Sequence, residues 1–206
     1  ALGQLAKWLR EKINPRTVAM TGSSGKTTVK EMTASILQQT ADNPEAVLFT
    51  NGNFNNDIGV PLTLLRLTEQ HKFAVIELGA NHQGEIDYTT HLAQPEAALV
   101  NNVAAAHLEG FGSIEGVARA KGEIYRGLTP NGVAIIELWQ KEIGSHAIQY
   151  FNGGDYKAEN VKHSPNGSMF TLVSPKGSIE INLPYLGEHN VKNALAATAL
   201  AMNVGA

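Results

Sequence analysis

The chain has 206 residues, 43% of them hydrophobic, with a formal net charge of −3 and no cysteine. That length can bury a sizeable core as one large or two small domains, and the near-neutral balance gives no support to a general nucleic-acid or membrane-surface binder. Disulfides, thiol catalysis and cysteine-ligated zinc are excluded, and no apolar run approaches the ~20 residues of a membrane span.

Leu2, Leu5, Trp8 and Leu9 mark an amphipathic helix from Ala1 to Lys12, ended by Asn14-Pro15. Thr17 to Met20 is a short apolar strand. A Gly/Ser turn follows, and Val29, Met32, Thr33, Ile36 and Leu37 then repeat at helical spacing as far as about Gln39. Val47 to Thr50 reads as a strand, Asn51 to Asp57 as a polar loop, and Ile58 to Leu67 as a helix with Pro61 in its first turn. Phe73 to Ile76 is a continuous apolar run, as expected of a strand buried on both faces. A short helix over Glu85–Leu92, a strand over Ala97–Val100, a helix capped by Ser113 and reaching about Gly127, and a strand over Val133–Ile136 complete the alternation.

The first 137 residues therefore predict an α/β fold with a mostly parallel, doubly wound sheet. From 138 to 186 the pattern changes. His146–Phe151, Tyr156–Val161, Ser168–Val173 and Ser178–Leu183 are strand-like, with turns at Asn152-Gly153-Gly154, Pro165-Asn166-Gly167 and Pro175-Lys176-Gly177 between them. This predicts a small antiparallel flanking sheet. A closing helix runs from His189 to about Asn203, within a final segment 187–206. The first residue is not Met, no leader pattern is visible, and each end falls at a helix, so the sequence reads as one domain of a longer protein.

The chemistry gathers where strands end. Gly22, Ser23, Ser24, Gly25, Lys26, Thr27 and Thr28 join a strand to a helix N-terminus, where backbone amides and the helix dipole favour a phosphate. The strict Walker pattern fails, because only Ser23 and Ser24 separate the two glycines. Gly25-Lys26-Thr27 nevertheless sits where Lys26 could reach terminal phosphates and Thr27 could hold Mg²⁺. Glu77 ends a buried strand, where a carboxylate needs a partner, either Mg²⁺ or the amides of the following turn. Lys121 lies on the apolar stripe Ile114, Val117, Ala118, Ile124, Tyr125 and Leu128. It either snorkels outward or is held in a polar site with a depressed pKa. Glu123, one position off that stripe, reads as solvated. Taken alone, His107 is a loop histidine, Asn55-Asn56-Asp57 is turn chemistry, and Asn190 with Asn193 fits a helix cap.

Together these motifs carry a resemblance that covers nearly the whole chain. Thr21 to Thr28 resembles the phosphate loop of the Mur ligases, the ATP-dependent amide-bond ligases that build the peptidoglycan peptide. The likeness continues through Asn53–Pro61, Glu77–Ile86, Asn101-Asn102, Ala106–Gly112, Ala120–Glu123, Gly187–Asn190 and Asn193–Ala196. The Asn55–Pro61 and Gly79–Ile86 runs resemble the branch that adds D-alanyl-D-alanine to UDP-N-acetylmuramoyl-tripeptide. The resemblance implies a cytoplasmic, monomeric ligase that binds ATP and two Mg²⁺ ions and works through an acyl phosphate. It implies that Lys26, His107 and Lys121 are catalytic and that Thr27, Glu77, His107 and Lys121, the last carbamylated, lie at the metals. Asn55, Asn56, Asn81 and His82 would face the substrate. Gly22 to Thr28, with His189, Asn190 and Asn193, would face the nucleotide.

Two departures stand out. The family's Asn-x-Asp segment for adenine is not found after Ile136, where Glu137-Leu138-Trp139 follows directly. The family's N-terminal UDP-holding domain and its C-terminal closing domain have no counterpart in these residues. The 206 residues alone are therefore expected to bind nucleotide weakly and not to ligate. A folylpolyglutamate-synthetase-like ligase and a non-catalytic nucleotide switch are the alternatives. Asn81-His82-Gln83 speaks against the first, and the joint presence of Glu77, His107 and Lys121 against the second.

Overall fold

A computed structural model describes residues 1–136, 147–149 (backbone only) and 154–206. Its centre is a six-stranded parallel sheet. The strands are β1 (Arg16–Thr21), β2 (Val47–Phe49), β3 (Phe73–Glu77), β4 (Ala97–Val100), β5 (Val133–Ile136) and β6 (Ala147–Gln149), in the order β2-β3-β1-β4-β5-β6. Alternating side chains of the inner strands enter two different cores. Val18, Met20, Val75 and Leu99 face one side, while Ala19, Ile76, Ala98 and Val100 face the other. That is why these strands read as unbroken apolar runs: neither face meets water.

The first core is closed by α2 (Lys26–Ala41) and α7 (Glu188–Met202). The second is closed by α1 (Leu2–Ile13), α3 (Gly59–Leu64) and α4 (Glu85–Ala93). Buried Arg10 staples α1 to the end of α4, its Nε donating to Ala93 O at 2.7 Å and its Nη2 to Gln94 O at 3.0 Å. These bonds satisfy carbonyls that a helix C-terminus leaves orphaned. A short helix α5 (Leu108–Phe111) stands at a place read from sequence as loop. Ser113 Oγ accepts from Gly116 N at 3.0 Å to start α6 (Ile114–Gly122), whose continuation tightens to a 3₁₀ turn over Glu123–Gly127.

The flanking antiparallel sheet consists of β7 (Lys157–Ser164), β8 (Gly167–Ser174) and β9 (Gly177–Leu183). Phe170 and Leu172 of β8 pack into the core beneath α7. One expectation is corrected. The segment from His146 does not begin this meander, because Ala147–Gln149 pairs parallel with β5 and extends the main sheet. A three-residue strand has too little pattern to reveal which sheet it joins. The Asn152-Gly153 turn and the Glu137-Leu138-Trp139 departure lie outside the described residues.

Candidate active site

In an open parallel sheet, ligands collect beyond the carboxyl ends of the strands where the winding reverses. Here that place is the end of β1, flanked by β3 and β4. The loop from Gly22 to Gly25 is held there by the end of β4. Ser23 N donates to Asn102 O at 3.2 Å and Ser24 N to Asn102 Oδ1 at 2.9 Å, while Asn102 Nδ2 donates to Ser24 O at 2.9 Å. Ser23 Oγ accepts from Ala104 N at 2.9 Å. Gly25 adopts φ 76°, and a Cβ there would lie 2.8 Å from Asn101 Nδ2 and 3.0 Å from Asn193 Oδ1. Glycine is thus required twice, by conformation and by close approach. Behind it, Asn101 Nδ2 donates to Asn193 Oδ1 at 2.9 Å, and Asn193 Nδ2 to Asn190 Oδ1 at 3.2 Å.

Glu77 is 2% exposed at the end of β3. Its Oε2 accepts from Thr27 Oγ1 at 3.3 Å and its Oε1 from Asn55 Nδ2 at 3.0 Å, while Thr50 Oγ1 accepts from its backbone N at 2.9 Å. Lys30 Nζ lies 3.8 Å from Oε2. Gly79 lets Asn55 come this close, since a Cβ there would meet the Asn55 amide at 2.9 Å. Among the described residues no three His, Cys, Asp or Glu side chains converge as a metal cage. The donor set, one hydroxyl and one carboxylate beside a phosphate loop, fits Mg²⁺, which takes one or two protein oxygens and fills the rest of its octahedron with phosphate and water. Two neighbouring oxygens in that octahedron stand about 2.9 Å apart, near the separation of Thr27 Oγ1 and Glu77 Oε2.

Over this pair opens a cleft of about 300 Å³ lined by Lys26, Asn55, Asn56, Asn81, His107 and Lys121, among others. Lys121 is 2% exposed, so it does not snorkel. Burial, and then the charge of Lys26, lower its pKa to about 8. His107 holds φ 55° at the N-terminus of α5, a left-handed conformation that costs on the order of 1 kcal/mol for a residue with a Cβ. It borders both this cleft and an adjoining one lined by Asn81, His82 and Glu109.

Residues 20–201 match the family model described as the Mur ligase middle domain. The chain belongs to the Mur ligase family. It is 79% identical over 213 aligned positions to the UDP-N-acetylmuramoyl-tripeptide–D-alanyl-D-alanine ligase of Haemophilus influenzae, covering 100% of this chain and 47% of that protein. A crystal structure of MurF from Acinetobacter baumannii superposes with a TM-score of 0.92 at 46% identity, covering 100% of this chain and 46% of that one. MurF from Thermotoga maritima in complex with ADP superposes at 0.86 with 26% identity, covering 99% and 49%. The chain thus spans about half the length of the relatives it matches.

Within this Mur ligase chain, Lys26, Asn55, Asn56, Asn81, His107 and Lys121 line one cleft, with Thr27 and Glu77 beside it. Asn56 also spends its Oδ1 on the amides of Ile58 and Gly59, at 3.2 and 2.7 Å, at the start of α3. His82 is exposed and stands 3.3 Å from Glu85 Oε1. Burial alone would raise the Glu85 pKa, but the amides of Asn81 and His82 and the His82 ring outweigh it and hold the carboxyl below its ordinary value. Asn193 stands behind the phosphate loop, and Asn190 and His189 follow at the surface, where Asn190 Nδ2 donates to Leu186 O at 2.8 Å.

One expectation for the Mur ligase sequence fails at Glu123. It is 4% exposed rather than solvated, and its carboxylate accepts from Gly84 N and Asp87 N, each at 2.9 Å. The orphan amides of the α4 N-terminus pull it inward. Lys30 and Thr50 were missed altogether. Lys30 carried a legible signal, a lysine at helical spacing from Thr33, Ala34 and Leu37. Thr50 carried none.

Proposed function

We propose that the chain is the central ATP-binding domain of a cytoplasmic Mur ligase. That enzyme joins D-alanyl-D-alanine to UDP-N-acetylmuramoyl-tripeptide and releases ADP and phosphate. The supporting observation is the convergence on one cleft of the phosphate loop, His107 and a buried lysine with a pKa near 8, with the Thr27–Glu77 pair beside it. The 79% identity to a ligase named for this reaction supports this choice of substrates. Residues 1–137 are then the nucleotide-binding core, 138–186 the flanking segment and 187–206 the helix that braces the phosphate loop. The UDP-holding and closing functions belong to the rest of a monomeric protein. Among the described residues no helix is long and apolar enough to cross a membrane.

In this reading the loop amides and Lys26 hold the γ-phosphoryl group of ATP as it passes to the tripeptide's terminal carboxylate, forming an acyl phosphate and ADP. The dipeptide amine adds to the acyl carbon, the C–O bond to phosphate breaks, and the amine loses its proton as the amide forms. Spreading the charge of the transferring group is the main demand on the site. Thr27 and Glu77 would hold one Mg²⁺ and His107 a second, which when bound supply positive charge at the phosphate oxygens. The amine of Lys121, about half un-ionised near pH 8, is suited in its neutral form to take up CO₂ as a carbamate with loss of a proton, which would put an anion where the protonated lysine carries a cation. Asn55, Asn56, Asn81 and His82 would face the acceptor. His189, Asn190 and Asn193 serve the nucleotide side, Asn193 by fixing the loop from behind.

The test is phosphate release from ATP by the full-length protein, offered each substrate separately and both together, with Lys26→Ala as control. Release that needs both and is lost in the control supports the ligase. Release with folate and glutamate instead, or nucleotide binding without turnover, overturns it.

A further inference from the structure

Lys30 and Glu77 form an ion pair almost wholly removed from solvent, with side chains 4% and 3% exposed. Lys30 sits three residues beyond Thr27 on α2, so the two side chains share a helix face, and both address the same carboxylate oxygen, at 3.8 Å for Nζ and 3.3 Å for Oγ1. Lys30 does not line the cleft, whereas Lys26 and Lys121 do. Lys30 is itself only 3% exposed, so it meets Glu77 within the protein and not from the open cleft. A carboxylate at the end of an apolar strand demands a counter-charge whether or not a metal is bound. Lys30 supplies one that never leaves.

We propose that Lys30 is a positioning residue, a resident counter-cation that keeps the Glu77 carboxylate compensated and aimed at the cleft before a divalent ion arrives, and that opposes a divalent ion arriving alone. The inference rests on the reading that Glu77 and Thr27 take a metal. With Lys30 in place, Glu77 is nearly neutralised and a bare divalent ion gains little there. A metal that enters on nucleotide phosphates brings its own anionic ligands and overcomes the repulsion. The site thus selects metal–nucleotide over free metal.

Mn²⁺ titration of the full-length protein without nucleotide, read from the free-ion EPR signal, tests this. Lys30→Met is expected to bind Mn²⁺ at least about tenfold more tightly than the parent, because a unit charge a few ångströms from a divalent ion is worth at least that in a partly buried site. Its melting temperature should fall in metal-free buffer and rise more on Mn²⁺ addition than the parent's. Lys30→Arg, which keeps the charge, should behave as the parent. A merely structural lysine would lower the melting temperature without tightening Mn²⁺. Unchanged or weaker binding in Lys30→Met, with binding abolished in Glu77→Gln, overturns the proposal and leaves the metal reading standing. Unaltered binding in Glu77→Gln overturns both. If Lys30→Met does not fold in metal-free buffer, Mn²⁺ should restore folding, and failure to do so overturns the proposal.

Discussion

Replacing Lys121 by Met should stabilise the fold at neutral pH, although it removes a residue central to the proposed chemistry. The amine is 2% exposed, and burial followed by the charge of Lys26 brings its pKa from the ordinary 10.5 down to about 8. Between these two values the unfolded chain binds more protons at this residue than the folded chain, so stability rises with pH through that window. Below about pH 8 the penalty is present in full. Above 10.5 it is gone. At ~1.36 kcal/mol per pKa unit the gap corresponds to about 3 kcal/mol. Met is similar in length and needs no hydration, so Lys121→Met in CO₂-free buffer should gain up to about 3 kcal/mol over the parent near pH 7. The two should converge as the pH approaches 10.5. Bicarbonate should narrow the gap, since a carbamate beside Lys26 removes the like-charge repulsion. Urea unfolding of both chains at several pH values, with and without bicarbonate, measures this. A variant less stable than the parent near pH 7, or a difference independent of pH, would refute the reasoning.

Three further outcomes are expected. Asn193→Ala removes the acceptor of Asn101 Nδ2 at 2.9 Å behind Gly25. It should weaken ADP binding by roughly 10- to 100-fold in calorimetry, the equivalent of a lost buried hydrogen bond of about 1–3 kcal/mol, and unchanged affinity would mean that the loop holds its shape unaided. Tyr125→Phe leaves Val100 N and Ile135 O without the hydroxyl that now bridges them at 3.1 and 2.9 Å, at the point where β4 and β5 part. Burial pushes that phenol's pKa upward, partly offset by the Val100 amide, and the variant should lose about 1–3 kcal/mol in urea unfolding. Arg10→Ala should cost about 2–4 kcal/mol, since two carbonyls at the end of α4 lose a charged donor. Hydrogen exchange should then quicken at the end of α4 and not in the phosphate loop.

The inner strands of the main sheet were legible because burial on both faces gives them continuous apolar runs, whereas the three-residue edge strand Ala147–Gln149 was assigned to the wrong sheet. Phe73–Glu77 and Ala97–Val100 are all buried, and their runs read plainly as strands. Lys121 was legible for the opposite reason, a charge on an apolar stripe, although snorkelling and a polar site stayed open until its burial decided between them. Glu123 was misread by the same rule. Stripe membership says which way a side chain leaves its own helix, and nothing about the amides of another helix that wait to receive it. Asn101 and Asn102 were legible as a motif but not as a brace. Their partners, Ser24 and Asn193, lie 77 to 92 positions away and become neighbours only through the order of the strands.

The same topology explains why the phosphate loop can depart from the strict Walker spacing. A longer loop supplies its own hydrogen bonds in folding back around the phosphate. In this short one, the backbones of Ser23 and Ser24 are instead tied to Asn102, and Gly25 lies against Asn101 and Asn193. The loop's shape is set by β4 and α7 from outside. Its rigidity then depends on α7 staying in place, and α7 is held by Val191, Leu195 and Leu200 packing into the core that Phe170 and Leu172 of the flanking sheet complete. The small antiparallel sheet, which carries none of the candidate chemical groups, is on this argument a buttress of the nucleotide site. Loosening it by Phe170→Ala should lower nucleotide affinity as well as stability. Asn193→Ala and Phe170→Ala should therefore be less than additive on ADP binding, because each releases the same loop. Full additivity in a double-mutant cycle would show instead that the flanking sheet stabilises the fold without reaching the site.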